Sequence, residues 1–380
     1  MIGPEEKAAV LRVMENGELS GYQGNWSDSF YGGPEVQALE KEWAEYFGAK
    51  HAIACNSATS GLWMALAAIG LQLDLNNSYG KSFLNNVYDN MEFCGITGEF
   101  EGYHPPEVIV TPYSMTCSAS VPLLFGAKPV FADIEKDYYC LDPKAVEAAI
   151  TPHTKAIIVV DLFGQPYAAD EINAIAKKHG IYVIEDAAQA IGAKYKGKFA
   201  GTLGDIGVFS LNRHKHIQCG EGGVVVTDND KLARKLRLLM NHAEAVVNDL
   251  ERQSLLELEI YDIGSISCMV GMNLRMTELS AAVSREQLKK LPGILKQVRI
   301  DANCFPVLTR PGCEHAFYRY AMSKEEIIYI SDNYFNWKKH YITPIYKMPL
   351  FKALGYPEGL CPVCEEVEEN IVLAWQKEPL

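Results

Sequence analysis

Nowhere in the 380 residues does an uninterrupted apolar run reach the length that spans a bilayer. The start, Met1-Ile2-Gly3-Pro4-Glu5-Glu6-Lys7, lacks both the basic residues and the apolar stretch of a signal peptide. A cytoplasmic protein is the expectation. Positive charge is also scarce: 35 Lys and Arg stand against 48 Asp and Glu, a formal net charge of -13. Phosphate backbones reward clustered Lys and Arg, so general nucleic-acid binding is disfavoured, and an anionic substrate needs a local basic pocket. Of the ten cysteines, Cys361 and Cys364 have zinc-like spacing, but no second Cys or His pair stands around them. Reduced thiols and no metal are expected. Internal repeats and low-complexity tracts are missing as well.

What is there suits one large domain with a smaller appendage. From about Ala52 to Thr227, short apolar runs alternate with helical patterns. Strands are expected at Val108–Val110, Pro129–Phe131, Ala156–Val160, Ile181–Ile184, Ile206–Phe209 and Val224–Val226. Their continuous apolar character implies burial on both faces, as in a mainly parallel sheet. Helices are expected at Ser60–Gly70, Pro143–Ile150, Ala169–His179 and Asp230–Asn241. The sequence therefore predicts an α/β fold, with ligands beyond the carboxyl ends of the strands. Another helix is expected from Thr277 to Leu291, stopped by Pro292-Gly293. The stretch of about 74–107 is polar and turn-rich, and reads as an insertion or lid. The expected division is 1–255 for the large domain and 256–380 for a small C-terminal α+β domain.

Three elements carry chemistry. Asp186 follows a buried strand, where an unpaired carboxylate is costly to desolvate. It needs a cationic or donor partner, such as a protonated pyridine nitrogen, or it merely caps a helix. Lys215 lies in a loop between two buried strands, with Arg213 close by. Either its amine is set up to form an imine or it is an ordinary surface lysine. The turn Cys55-Asn56-Ser57-Ala58-Thr59-Ser60-Gly61 offers N–H groups and hydroxyls to a phosphate at a helix N-terminus, or is a plain cap.

In this order, the three elements resemble the sugar aminotransferase family of the DegT/DnrJ/StrS type, built on the aspartate-aminotransferase (type I) fold. The resemblance runs from Gly33-Pro34-Glu35-Val36 to Lys377-Glu378-Pro379. It includes Gly126–Phe131, Thr151–Ile158, Glu185–Ala190, Gly220–Gly223 and Asn273–Glu278. It implies a cofactor, pyridoxal 5'-phosphate (PLP), held as a Schiff base on Lys215. It also implies that Asp186 contacts the pyridinium nitrogen and Gln189 the ring hydroxyl. Ser57, Ala58, Thr59 and Ser210 fall where the family cradles the phosphate, and Asn273 where an asparagine reaches across from the partner of a homodimer. Met115 falls at the residue stacked on the cofactor ring, with Tyr113 as the substitute if the register slips. His340 or Tyr341 is expected to line the substrate pocket, with the segment Leu19–Trp26.

The activity implied is ping-pong transfer of an amino group from glutamate or glutamine, through pyridoxamine phosphate, to a keto-sugar, nucleotide-linked in the main reading. A non-nucleotide cyclic ketone of the aminocyclitol or aminobenzoate kind is the alternative. A sugar dehydratase of the same fold is disfavoured, because such relatives carry histidine where Lys215 stands. A scaffold role is disfavoured because the chemical residues are intact. Two departures from the family pattern stand out: the long 74–107 stretch, and compressed segments at Arg299–Tyr320 and Ala321–Ile345.

Overall fold

A computed structural model of the chain describes residues 2–24, 27–71, 104–243, 269–326, 335–338 and 341–376. Most of the 74–107 stretch, together with His340, Asn25 and Trp26, lies outside the described residues. Seven strands form the central sheet: β1 (His51–Cys55), β2 (Glu107–Val110), β3 (Lys128–Phe131), β4 (Thr154–Val160), β5 (Tyr182–Asp186), β8 (Ile206–Ser210) and β9 (Gly223–Thr227). Between β5 and β8 run the two-residue strands β6 (Lys194–Tyr195) and β7 (Lys198–Phe199), which join β10 (Cys313–Glu314) in a separate small sheet. The central order is β1-β9-β8-β5-β4-β2-β3. Pairings from β3 through to β8 are parallel, and β9 alone runs against both of its neighbours.

The expected strands are all present. Val108, Ile157, Ile158, Ile184, Val208 and Val224 are fully buried, as strands covered by helices on both faces must be. The sheet order places β1, β9, β8 and β5 side by side, and the Ser57 turn, Ser210 and Asp186 lie at their ends, with Lys215 in the loop between β8 and β9. A second, antiparallel sheet of order β11-β13-β12 is built from Tyr320–Ser323, Ile371–Gln376 and Phe335–Lys338 respectively. Among the described residues, no helix is long and apolar enough to cross a membrane.

One expected boundary is corrected. The helix capped by Thr277 does not stop at Pro292 but runs from Glu278 to Ala302 with Pro292 inside it. A proline within a helix costs roughly 3 kcal/mol, because a hydrogen bond is lost and the ring meets the preceding turn. Beyond it, however, Leu295, Val298 and Ala302 are buried on the same face as Leu288 and Leu291. At roughly 1.5–3 kcal/mol for a large buried apolar side chain, that face outweighs the proline.

Candidate active site

The loop that carries Lys215 joins β8 to β9, and its backbone closes on itself. Leu211 N–H donates to Gly222 O, Cys219 N–H to Leu211 O, and Arg213 N–H to Gly220 O (2.9, 2.9 and 3.0 Å). Ile217 is fully buried and pins the loop to the core. Lys215 N–H donates to Asn212 O (2.9 Å), and its Nζ lies 4.7 Å from the centre of the Tyr318 ring. Arg213 points to solvent.

Asp186 ends β5 and is 4% exposed. Its Oδ1 accepts from Ala188 N–H (3.1 Å) and its Oδ2 from Ser118 Oγ (3.4 Å). Burial pushes its carboxyl upward, while the Ala188 N–H, the positive charge of Lys215 and the Ser118 hydroxyl pull the other way. A buried carboxylate with two neutral donors, one of them long, is a site that a protonated ring nitrogen would stabilise. Gln189 is buried nearby: its Oε1 accepts from Phe163 N–H (3.0 Å) and its Nε2 donates to Tyr341 Oη (3.3 Å). The Tyr341 ring meets those of Phe163 and Tyr113 edge-on, and burial pushes its hydroxyl up to about 12.

The turn after β1 leads into the helix Ala58–Leu66, capped by Ser57, whose hydroxyl accepts from Ser60 N–H (3.1 Å). Ser60 Oγ in turn donates to Asn56 Oδ1 (2.6 Å). A helix start leaves its first N–H groups without intrahelical partners, here those of Ala58 and Thr59. The turn is braced from behind by Gly223, where a Cβ would lie 2.6 Å from the Ser57 carbonyl carbon and 2.7 Å from Ala58 N. Gly61 likewise lets the helix approach the sheet, since a Cβ there would lie 2.7 Å from Val208 Cγ1. Ser210, paired with Gly223, ends β8 and is buried beside this turn. These donors suit a phosphate dianion.

Met115 and Tyr113 are placed very differently. Met115 is 56% exposed and free to cover a flat ring, whereas Tyr113 is fully buried. Met115→Ala is expected to weaken cofactor retention modestly, in line with a sulfur–aromatic contact of roughly 0.3–1.5 kcal/mol. Tyr113→Ala is expected to lower the melting temperature instead, since emptying a buried aromatic site costs roughly 3–5 kcal/mol. Cofactor titration and thermal melts of both variants separate the two; a Tyr113 variant that melts normally but loses the cofactor would exchange the assignments.

Asn273 is exposed, and its Oδ1 accepts from Arg275 N–H (3.4 Å). The next residue, Leu274, accepts Asn56 N–H at 2.8 Å, so this segment is tied to the phosphate turn of its own chain while Asn273 faces outward.

Behind Asp186 lies a carboxyl pair that no motif announced. Asp161, just past β4, and Glu185 are both fully buried. Glu185 accepts three N–H groups, from Gly201 (2.7 Å), Leu203 (2.8 Å) and Gly204 (3.0 Å). Asp161 accepts one, from Tyr167 (2.9 Å), and its Oδ2 meets no donor. Burial and the neighbouring Glu185 charge push the Asp161 carboxyl well upward. A raised carboxyl contributes stability at low pH that is lost as pH rises toward its folded value. Asp161→Asn, which stays neutral, is therefore expected to gain in melting temperature relative to wild type as pH rises from about 5 to 8. A pH-independent difference between the two would mean that the Asp161 carboxyl is not held above its usual range.

Ser118, Tyr318 and Arg319 join the site without any sequence signal beyond their residue types; all three arrive through long-range packing.

The family model of the DegT/DnrJ/EryC1/StrS aminotransferases matches residues 15–76 and 101–307, with its break inside the 74–107 stretch. The chain is 32% identical, over an alignment of 386 residues, to the spore coat polysaccharide biosynthesis protein SpsC of Bacillus subtilis (strain 168). That alignment covers 95% of this chain and 87% of SpsC. Among solved structures, the aminotransferase from Psychrobacter cryohalolentis superposes with a TM-score of 0.77 at 26% identity, over 98% of this chain and 91% of that one. The S. venezuelae protein DesV, solved in complex with a ketimine intermediate, superposes with a TM-score of 0.73 at 26% identity, over 97% and 88% of the two chains.

Proposed function

The chain belongs to the DegT/DnrJ/EryC1/StrS aminotransferase family, and from that premise we propose that it transfers an amino group from glutamate or glutamine to a nucleotide-linked keto-sugar. It is a PLP-dependent aminotransferase of the type I fold. The observation that carries the residue-level reading is the buried Asp186 carboxylate under the charge of Lys215, beside a braced phosphate turn. The polysaccharide role in the name of SpsC supports a sugar acceptor. The reaction then runs in the cytoplasm, in a homodimer.

In this reading Ser57, Ala58, Thr59 and Ser210 hold the cofactor phosphate, Gln189 its ring hydroxyl, and Met115 one ring face. Asp186 keeps a buried negative charge opposite the ring nitrogen. Lys215 Nζ would hold the cofactor and would move a proton at the donor α-carbon. When bound, the cofactor ring supplies an electron sink for the charge that develops there. Tyr341, held by Gln189, lines the acceptor side, and His340 is proposed beside it from the resemblance alone.

Asn273 is proposed to act on the phosphate beside the partner's Lys215, which would couple cofactor binding to dimerisation. Mixed dimers decide this, given that Asn273→Ala alone is impaired. Combining Asn273→Ala and Lys215→Ala subunits is expected to restore activity, because each mixed dimer then holds one site with both residues intact. Mixed dimers, confirmed by mass, that stay inactive would mean that Asn273 serves its own chain.

The assignment to a sugar acceptor is tested with a panel of nucleotide-linked ketosugars and free cyclic ketones, in the presence of glutamate. Amination of a nucleotide-linked ketosugar is expected; turnover of free cyclic ketones alone would move the substrate class.

A further inference from the structure

The residue that follows Lys215 brings its own side chain into the site. His216 Nε2 lies 2.8 Å from the Ala316 carbonyl oxygen. A carbonyl only accepts, so Nε2 carries the proton and donates. Burial pushes the imidazole down to about 4 against the pull of that carbonyl, and the charges of Lys215, Arg319 and Arg299 add to the push. His216 is therefore neutral at neutral pH, and its Nδ1 is a bare lone pair. That nitrogen is buried and meets no hydrogen-bond partner among the described residues. Leaving a buried ring nitrogen unpaired costs at least as much as one neutral hydrogen bond returns. An apolar ring of comparable size would serve the fold as well, so stability does not account for this histidine.

What the bond does is join two parts of the site. Ala316 is fully buried, and its N–H donates to Gly164 O (2.9 Å), while Arg319 N–H donates to Phe163 O (3.3 Å). The same turn gives its Phe163 N–H to Gln189 Oε1 (3.0 Å). Phe163 and Phe317 hold φ of 58° and 53°, left-handed conformations that a non-glycine residue keeps only where its surroundings hold it. Tyr318 belongs to this clamped segment, with its ring centre 4.7 Å from Lys215 Nζ and 6.0 Å from that of the His216 ring. The amine and the ring that meets it thus sit on separate segments, tied through His216. We propose that His216 is a positioning residue for Lys215, its bond to Ala316 holding the Tyr318 ring against the lysine nitrogen. That ring limits where a flexible four-carbon side chain can put its amine. A misplacement of about 1 Å is enough to slow a reaction roughly 100-fold. His216 acts through Tyr318, and not as an acid or base.

The proposal rests on Lys215 being the reacting lysine. Holoenzyme is compared with His216→Phe, which keeps a flat ring and loses the donor, and with His216→Gln, whose Nε2 can reach the same carbonyl. Tyr318→Leu and the double variant His216→Phe with Tyr318→Leu complete a cycle. The half-reaction is followed with the donor, glutamate or glutamine, that wild type turns over faster. Its maximal rate, the donor concentration giving half that rate, its pH profile, the yield of borohydride-trapped cofactor and the melting temperature are read for each. His216→Phe is expected to lower the maximal rate roughly 10- to 100-fold, with the half-saturating concentration within about twofold of wild type. Trapped yield, melting temperature and the shape of the pH profile are expected to stay near wild type, and His216→Gln to recover most of the rate. The double variant should be no slower than the slower single one, because both changes remove one contact. A wild-type rate in His216→Phe overturns the proposal. So does a loss that follows the melting temperature and that His216→Gln does not recover, which would make the bond structural. Fully additive losses would separate His216 from Tyr318, and an altered pH profile would make His216 an acid or base; either ends the positioning role. Failure of the Lys215 assignment would register elsewhere, as cofactor trapped on a different lysine in wild type.

Discussion

Lys215→Ala is expected to leave no measurable transamination and no cofactor fixed to the protein by borohydride. Lys215 sits in a loop held by backbone hydrogen bonds and by buried Ile217, and its side chain contributes a single cation–ring contact with Tyr318. Removing that side chain costs the fold little, so the variant should melt near wild type. The chemical loss should be complete, because Lys215 is the lysine that lies over the Tyr318 ring and whose charge acts on the buried Asp186 carboxyl. Peptide mapping of the borohydride-reduced wild-type enzyme reads the same point independently. Label on another lysine would sink the assignment.

Asp186→Asn is expected to keep most cofactor affinity and lose most of the rate. Asparagine fills the same space; its carbonyl oxygen can still accept the Ala188 N–H that now reaches Asp186, and its NH2 can donate to the Ser118 oxygen. What it cannot supply is the negative charge opposite a protonated ring nitrogen. A charge-assisted hydrogen bond is about twice as strong as a neutral one, so a loss of roughly 10- to 100-fold or more in kcat follows. The Ser118 hydroxyl, at 3.4 Å, is a weak donor, so Ser118→Ala should cost much less than the charge itself. Wild-type turnover in Asp186→Asn would contradict the role.

Much of this was legible in the sequence because the signals are local. A buried parallel strand writes itself as a run such as Ala156-Ile157-Ile158-Val159-Val160, and a cap as Thr277 before a helix. The Ser57 turn, Asp186 and Lys215 are each marked by their place at a strand end. Pro292 misled because a strong local breaker was set against a buried face that exists only after packing. Tyr113 could not be told from Met115 by spacing, since only Ser114 separates them in one turn; burial distinguishes them. Asp161 and Glu185 come from neighbouring strands, and Tyr318 and Arg319 lie about a hundred residues beyond Lys215, so no periodicity links either set.

The central claim is transfer of an amino group through a site organised by Lys215 and Asp186, and one half-reaction tests it without knowledge of the acceptor. Purified enzyme loaded with PLP is mixed with glutamate, or with glutamine, labelled with nitrogen-15 at the α-amino group, and no acceptor is added. The account predicts one equivalent of the corresponding 2-oxo acid per active site, with the label retained on protein-bound cofactor, and none in Lys215→Ala. Wild-type enzyme that binds PLP yet releases no oxo acid from either donor, or a Lys215→Ala variant that releases as much as wild type, would contradict it.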